Sequence, residues 1–87
     1  MTDTGVRVAV RAEGDWESDV EEEEGVVVNW FGREGQSIEA GQALCEIQVE
    51  KVSIDIAASV DGTLDEIVCE EDDEFTIGDT LGWIRPD

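Results

Sequence analysis

Gly25-Val26-Val27-Val28-Asn29-Trp30-Phe31 and Gly62-Thr63-Leu64-Asp65-Glu66-Ile67-Val68 are the two stretches on which the fold turns. Laid over one another they continue in step without a gap, residues 25–47 over residues 62–84. Gly25 meets Gly62, Glu34 meets Glu71, Gly41 meets Gly78, Leu44 meets Leu81, and Ile47 meets Ile84. Apolar character persists where identity is lost: Val27 with Leu64, Trp30 with Ile67, Phe31 with Val68, Ile38 with Phe75. The matches fall on turn glycines and apolar anchors, the positions a duplicated structural unit has to keep.

Each copy reads as short strands separated by turns. Val6–Arg11 alternates apolar with polar residues and predicts a half-buried first strand. Val26–Phe31 is β-branched and aromatic, a turn follows at Arg33–Gln36, and Ser37-Ile38 leads to Gly41, which supplies a positive φ. Ala43–Val49 alternates again, and Val52–Ala58 resumes after only Glu50-Lys51, the spacing of a tight hairpin. The second copy repeats this with Gly62–Val68, an acidic turn, Glu74–Ile77, Gly78-Asp79 and Leu81–Arg85. The expectation is all-β: two four-stranded antiparallel sheets related by a pseudo-two-fold, packed as a sandwich or flattened barrel. The expected core is Val8, Val10, Val27, Phe31, Ile38, Leu44, Ile47, Ile54, Ile56, Leu64, Ile67, Phe75, Leu81 and Ile84. Asp15–Glu24, with four consecutive glutamates, is expected as a solvated loop, because a helix there is too short and like-charged to stand alone.

Eighty-seven residues make one domain, expected over residues 1–87, and a formal charge of -19 sets its chemistry. Twenty-four acids against five bases fit a very salty cytoplasm, where salt screens the self-repulsion. Nucleic acid is excluded as a partner for want of a basic patch, and no apolar run is long enough to span a membrane. Without histidine there is no Ser-His or Cys-His pair and no imidazole zinc site, so no catalytic residue is assigned. Cys45 and Cys69 read as reduced and packed. A cytoplasmic, soluble, non-enzymatic domain is what remains, and it is expected as a monomer.

The chain has a single lysine, Lys51, at the expected hairpin tip. A turn between two strands presents an amine to solvent on a rigid base, as an amide-forming modification requires. An ordinary exposed turn lysine has the same pattern, and on the residues alone both readings stand. The acidic runs Glu70–Glu74 and Glu21–Glu24 offer carboxylates to Ca²⁺ or Mg²⁺ but lack the alternating ligands and central glycine of a calcium loop, so no metal site is assigned. Trp16, Trp30 and Trp83 read as core or core-edge, with Trp16 in the acidic segment offering a surface contact.

From Gly25 to Ile84 the chain resembles a lipoyl domain, the carrier module of 2-oxo acid dehydrogenase complexes. The matching residues are Gly25, Val26–Val28, Trp30, Gly35, Gly41, Leu44-Cys45-Glu46-Ile47, Glu50-Lys51, Asp61-Gly62, Gly78-Asp79 and Leu81-Gly82-Trp83-Ile84. The resemblance implies lipoate in amide linkage on Lys51, presented by Glu50 and Val52, with Asp15–Glu24 lying near the arm and contributing to partner choice. It implies as partners a lipoate ligase or lipoyl transferase, a 2-oxo acid decarboxylase, an acyltransferase core and a dihydrolipoyl dehydrogenase. The family usually has Asp-Lys-Ala at the tip, where this chain has Glu50-Lys51-Val52, and Val49 stands where Thr is common. The related biotin carriers flank their lysine with Met, which Glu50 and Val52 do not match, so biotin is the weaker alternative. A different alternative is an unmodified acidic interaction domain on the same fold; a third is a divalent-cation binder.

Overall fold

The computed structural model describes residues 6–87; of the expected domain, residues 1–5 lie outside the described residues. The alternating stretches form eight strands: β1 (Val8–Arg11), β2 (Glu24–Trp30), β3 (Ser37–Ile38), β4 (Ala43–Val49), β5 (Val52–Ala57), β6 (Gly62–Ile67), β7 (Glu74–Thr76) and β8 (Thr80–Pro86). They make two four-stranded antiparallel sheets, ordered β1-β8-β6-β3 and β5-β4-β2-β7, neither closed on itself. The expected all-β class and pseudo-two-fold are both present. No helix among the described residues is long and apolar enough to cross a membrane.

The sheets are not the two sequence halves. The short strand of each half crosses over, so that β3 pairs with β6 and β7 pairs with β2. Matching backbone bonds fasten the two exchanges. Gly35 N–H donates to Leu64 O at 2.7 Å and Leu64 N–H to Gln36 O at 2.9 Å; Asp72 N–H donates to Val27 O at 2.8 Å and Val27 N–H to Asp73 O at 2.9 Å. Gly35 (φ 90°) and Asp72 (φ 74°) occupy the same left-handed position in the two turns. Each sheet thus contains residues from both halves, and neither half can complete a sheet alone.

Most of the expected core is buried: Val10, Val27, Ile38, Leu44, Ile47, Ile56, Leu64, Phe75, Leu81 and Ile84, joined by Ala12, Cys45, Val49 and Ala58. Val8, Ile54 and Ile67 are only partly buried, packed against that cluster from outside. Phe31 is a correction, being 47% exposed. The β2–β4 register shifts between Val27 and Asn29, and the β6–β8 register shifts at the equivalent place, between Leu64 and Glu66. An extra residue in a strand reverses the facing of everything after it. Beyond the bulge Trp30 turns toward the core and Phe31 turns out, and in the other copy Ile67 turns in while Val68 is 47% exposed. Trp30 then donates its indole N–H to Cys69 O at 2.6 Å.

The segment Asp15–Glu24 also differs from expectation. Asp15–Asp19 is a short 3-10 helix, and Glu24 is already the first residue of β2, paired with Thr76. The turn is anchored by tertiary contact, Trp16 and Val20 packing against the core, and is capped locally by Gly14 N–H donating to Glu17 Oε2 at 3.0 Å. Trp16 is therefore half-buried packing and not a free surface contact.

No charged or polar residue is buried among the described residues, so the acidity lies on the surface. The bulge argument has a direct consequence for stability. Phe31→Ser should change the unfolding free energy by no more than about 0.5 kcal/mol, as an exposed site does. Leu44→Ala, in the buried cluster, should cost roughly 2–5 kcal/mol. Denaturant unfolding of the two variants checks this, and a large loss in Phe31→Ser would place that ring in the core after all.

Candidate functional site

The β4–β5 hairpin closes on Val49↔Val52, leaving Glu50 and Lys51 as a two-residue turn. Glu50 adopts φ 56°, the left-handed conformation that lets a two-residue connection follow the twist of its strands. The tip is rooted from below. Val49 is fully buried, Val52 half-buried, and Gln48 Nε2 donates to Glu50 O at 3.2 Å. Gly25 lets β2 run close beneath: a Cβ there would stand 2.7 Å from Gln48 O and 2.8 Å from Val49 Cγ2. The result is a rigid base under an exposed amine. Lys51 is exposed and takes part in no ion pair among the described residues, although Glu50 stands next to it in the chain.

Glu50 does not pair with its neighbour. Its carboxylate Oε2 accepts the backbone N–H of Glu21 and, at 2.6 Å, that of Glu22. The segment after the 3-10 helix is thereby brought to the hairpin tip, as the resemblance implied for Asp15–Glu24. Between them lies a shallow depression lined by Gly25, Val26 and Gln48 together with Glu22, Glu24, Glu50 and Glu74. Nothing in the sequence around Glu50 signals this tie, because the tie runs to backbone amides some thirty residues earlier in the chain.

The other candidates resolve into structural roles. Among the described residues no group of acids or cysteines is arranged to hold a metal ion. The run Glu70–Glu74 is a turn that enters β7 at Glu74, and two of its carboxylates accept backbone N–H groups: Asp73 Oδ2 from Glu70 at 2.9 Å and Glu71 Oε2 from Trp30 at 3.2 Å. Its counterpart Glu34 accepts Ile67 N–H at 2.8 Å, which accounts for the Glu34/Glu71 identity in the repeat. Both cysteines are free thiols. Burial first, then the Asp55 charge and Cys69, pushes the Cys45 thiol up to about 12. Cys69 is also raised, by partial burial first and then by Asp73 and Asp79.

Residues 18–84 match the profile of the biotin/lipoyl family, described as "Biotin-requiring enzyme". The chain belongs to this biotin/lipoyl attachment family. Among curated relatives, the pyruvate dehydrogenase protein X component of Mus musculus is 43% identical over 49 residues, 56% of this chain and 10% of that protein. The dihydrolipoyllysine-residue acetyltransferase component of the Staphylococcus aureus pyruvate dehydrogenase complex is 36% identical over 58 residues, 67% of this chain and 14% of that one. The succinyltransferase component of the Bacillus subtilis 2-oxoglutarate dehydrogenase complex is 30% identical over 61 residues, 70% of this chain and 15% of that one. The chain thus spans 10–15% of the length of these relatives.

Among solved structures, the lipoyl domain of the Azotobacter vinelandii 2-oxoglutarate dehydrogenase complex superposes with a TM-score of 0.68 at 24% identity, over 91% of this chain and all of that one. The Kluyveromyces lactis urea carboxylase superposes with a TM-score of 0.76 at 18% identity, over 98% of this chain and 7% of that one. At these identities the likeness is one of fold. The barrel-sandwich hybrid common to the family is the two-sheet architecture described above.

The thiol environments give a pH dependence. Cys45 has its ordinary value near 9.0 when unfolded and about 12 when buried. Between these values the unfolded chain has lost the thiol proton that the native chain keeps. Stability contributed by Cys45 is therefore complete below pH 9 and is lost as pH rises toward 12. Unfolding free energy should fall over that window in the native sequence and fall less in Cys45→Ala, measured by denaturant unfolding at fixed high salt.

Proposed function

We propose that this chain is a lipoyl carrier domain, with lipoate in amide linkage to Lys51 Nζ, and that it is not itself an enzyme. The observation that carries the reading is the presentation of Lys51: the chain's sole lysine, exposed, free of any ion pair among the described residues, on a two-residue turn rooted in the core. An amine meeting those conditions fits an amide-forming ligase, since the nucleophile can be approached without breaking a salt bridge. The curated relatives above, components of pyruvate and 2-oxoglutarate dehydrogenase complexes, support lipoate over biotin. The carboxylase among the fold neighbours keeps biotin as the second reading. Lipoate, once attached, supplies acyl carriage and two-electron redox chemistry; the protein supplies presentation and recognition.

The chain's own contribution is electrostatic and steric. β4 and β5 carry the tip at the end of their sheet, Glu50 and Val52 flank Lys51 in the chain, and the segment leading to Glu24 is tied to Glu50. Acylation removes the Lys51 charge from a hairpin whose other tip residue, Glu50, lines an acidic depression with Glu22, Glu24 and Glu74; such a face favours basic docking surfaces at short range, since high salt blunts longer-range steering. The partners we assign are a lipoate ligase or lipoyl transferase, a thiamine-diphosphate 2-oxo acid decarboxylase, an acyltransferase core and a dihydrolipoyl dehydrogenase. We place the domain in the cytoplasm of a high-salt cell, where screening over a few ångströms relieves the repulsion among its acids.

Two measurements test these assignments. Intact mass and peptide mapping, after coexpression with a lipoate ligase and lipoate, should show one lipoyl increment on Lys51 and none in Lys51→Arg. A biotinyl increment from native cells would move the domain to carboxylases, and no increment from native cells would leave an unmodified interaction domain. The melting temperature should rise by roughly 5 °C or more between about 0.1 M and 2 M KCl. A flat or falling melting temperature would refute the high-salt assignment.

A further inference from the structure

The segment joining the 3-10 helix to β2 has an electrostatic difficulty. Glu21, Glu22, Glu23 and Glu24 all expose their side chains, and they lie against a hairpin tip whose first residue is a fifth glutamate. Like charges at this spacing repel, so contact between side chains cannot hold the segment there. Its ends are fixed by other means: Val20 packs against the core, and Glu23 O accepts the Ile77 N–H at 2.7 Å. Glu21 and Glu22 are tied through their backbone, both consecutive amides donating to Glu50 Oε2. A side-chain oxygen that accepts from two consecutive backbone amides fixes both, a local tie of the kind that orders turns and loops. Glu50 makes it from a left-handed turn position, φ 56°, while Gln48 Nε2 donates to its carbonyl at 3.2 Å.

We propose that Glu50 is a positioning residue, whose carboxylate clamps the Glu21–Glu22 backbone to the hairpin so that segment and lysine are met as one surface by the enzyme that modifies Lys51. The proposal rests on the lipoyl reading for its enzyme, and on geometry alone for its clamp. What matters is the reach of an acceptor oxygen to two amides rather than the negative charge of Glu50. Two neutral variants separate these. E50Q removes the charge but keeps an acceptor at the same reach. E50N removes the same charge and shortens the side chain by one methylene, and asparagine tolerates the left-handed turn, so turn strain does not confuse the comparison.

Amide hydrogen exchange of the unmodified domain, followed by NMR, reads the clamp. Glu21 and Glu22 should exchange about tenfold faster in E50N than in E50Q, while Val27 and Ile47 remain as protected in both, which shows the fold intact. Steady-state modification by lipoate ligase with lipoate and ATP reads the consequence: E50N should have a KM for the domain at least about threefold above that of E50Q, with similar kcat. Equal exchange at Glu21 and Glu22 in the two variants, or equal KM values, would overturn the proposal. If the native domain is not a substrate of the ligase at all, the lipoyl reading fails, and the exchange comparison decides the clamp by itself.

Discussion

Neither half of this chain can finish a sheet without the other. β3 and β7 contribute only two and three residues, yet each is the strand its half lends to the opposite sheet. The bonds that fasten them land on Val27 and Leu64, the residues immediately before the two bulges. The same backbone positions therefore fix strand exchange, register and the facing of the side chains that follow. A chain of this size buries little surface compared with larger domains, and interlocking its halves makes each core contact depend on both. The hairpin that carries Lys51 inherits its rigidity from this arrangement, because β4 pairs with β5 on one side and with β2 on the other.

Packing two unequal copies around one core requires differences that compensate. Trp30 and Ile67 hold equivalent places, as do Cys45 and Gly82. A Cβ on Gly82 would stand 3.2 Å from Trp30 Cη2, so the large ring in one place is accommodated by the missing side chain in another. Where the copy has the smaller Ile67, its equivalent of Gly82 is Cys45, fully buried. The duplication thus explains why the two cysteines are not symmetry mates. It also explains the high Cys45 thiol value, since that side chain fills a core position rather than a site.

The repeat, the strands and ten of the fourteen expected core positions were legible because turn glycines and alternation are local signals. Phe31 was not, because a bulge at Val28 leaves no mark in composition, and an unbroken alternation puts Phe31 on the wrong face. The 3-10 helix at Asp15–Asp19 escaped for a related reason: it is stabilised by Trp16 and Val20 reaching the core, a contact that propensity does not contain. At the site, the position of Lys51 in the hairpin was readable from the Glu50-Lys51 interruption. The partner of Glu50 was not, since backbone amides look alike in every sequence.

The distribution of the five positive charges bears on why the lysine stands alone. Arg7 pairs with Asp65 at 3.1 Å and Glu66 at 2.9 Å and lies 4.7 Å from the centre of the Trp83 ring, while Arg85 reaches Asp65 at 2.6 Å. These guanidinium contacts tie the strand entering β1 to β6 and β8, and the planar group that stacks on Trp83 while pairing with carboxylates is one an ammonium does not offer. At the hairpin tip the opposite is needed. An ammonium that paired with a neighbouring carboxylate would be held in place and charged, whereas a nucleophilic amine has to be approached and deprotonated. Glu50, the closest acid in sequence, is occupied by the amides of Glu21 and Glu22. The carboxylate that could have captured Lys51 instead organises the neighbouring segment, and the amine takes part in no ion pair among the described residues.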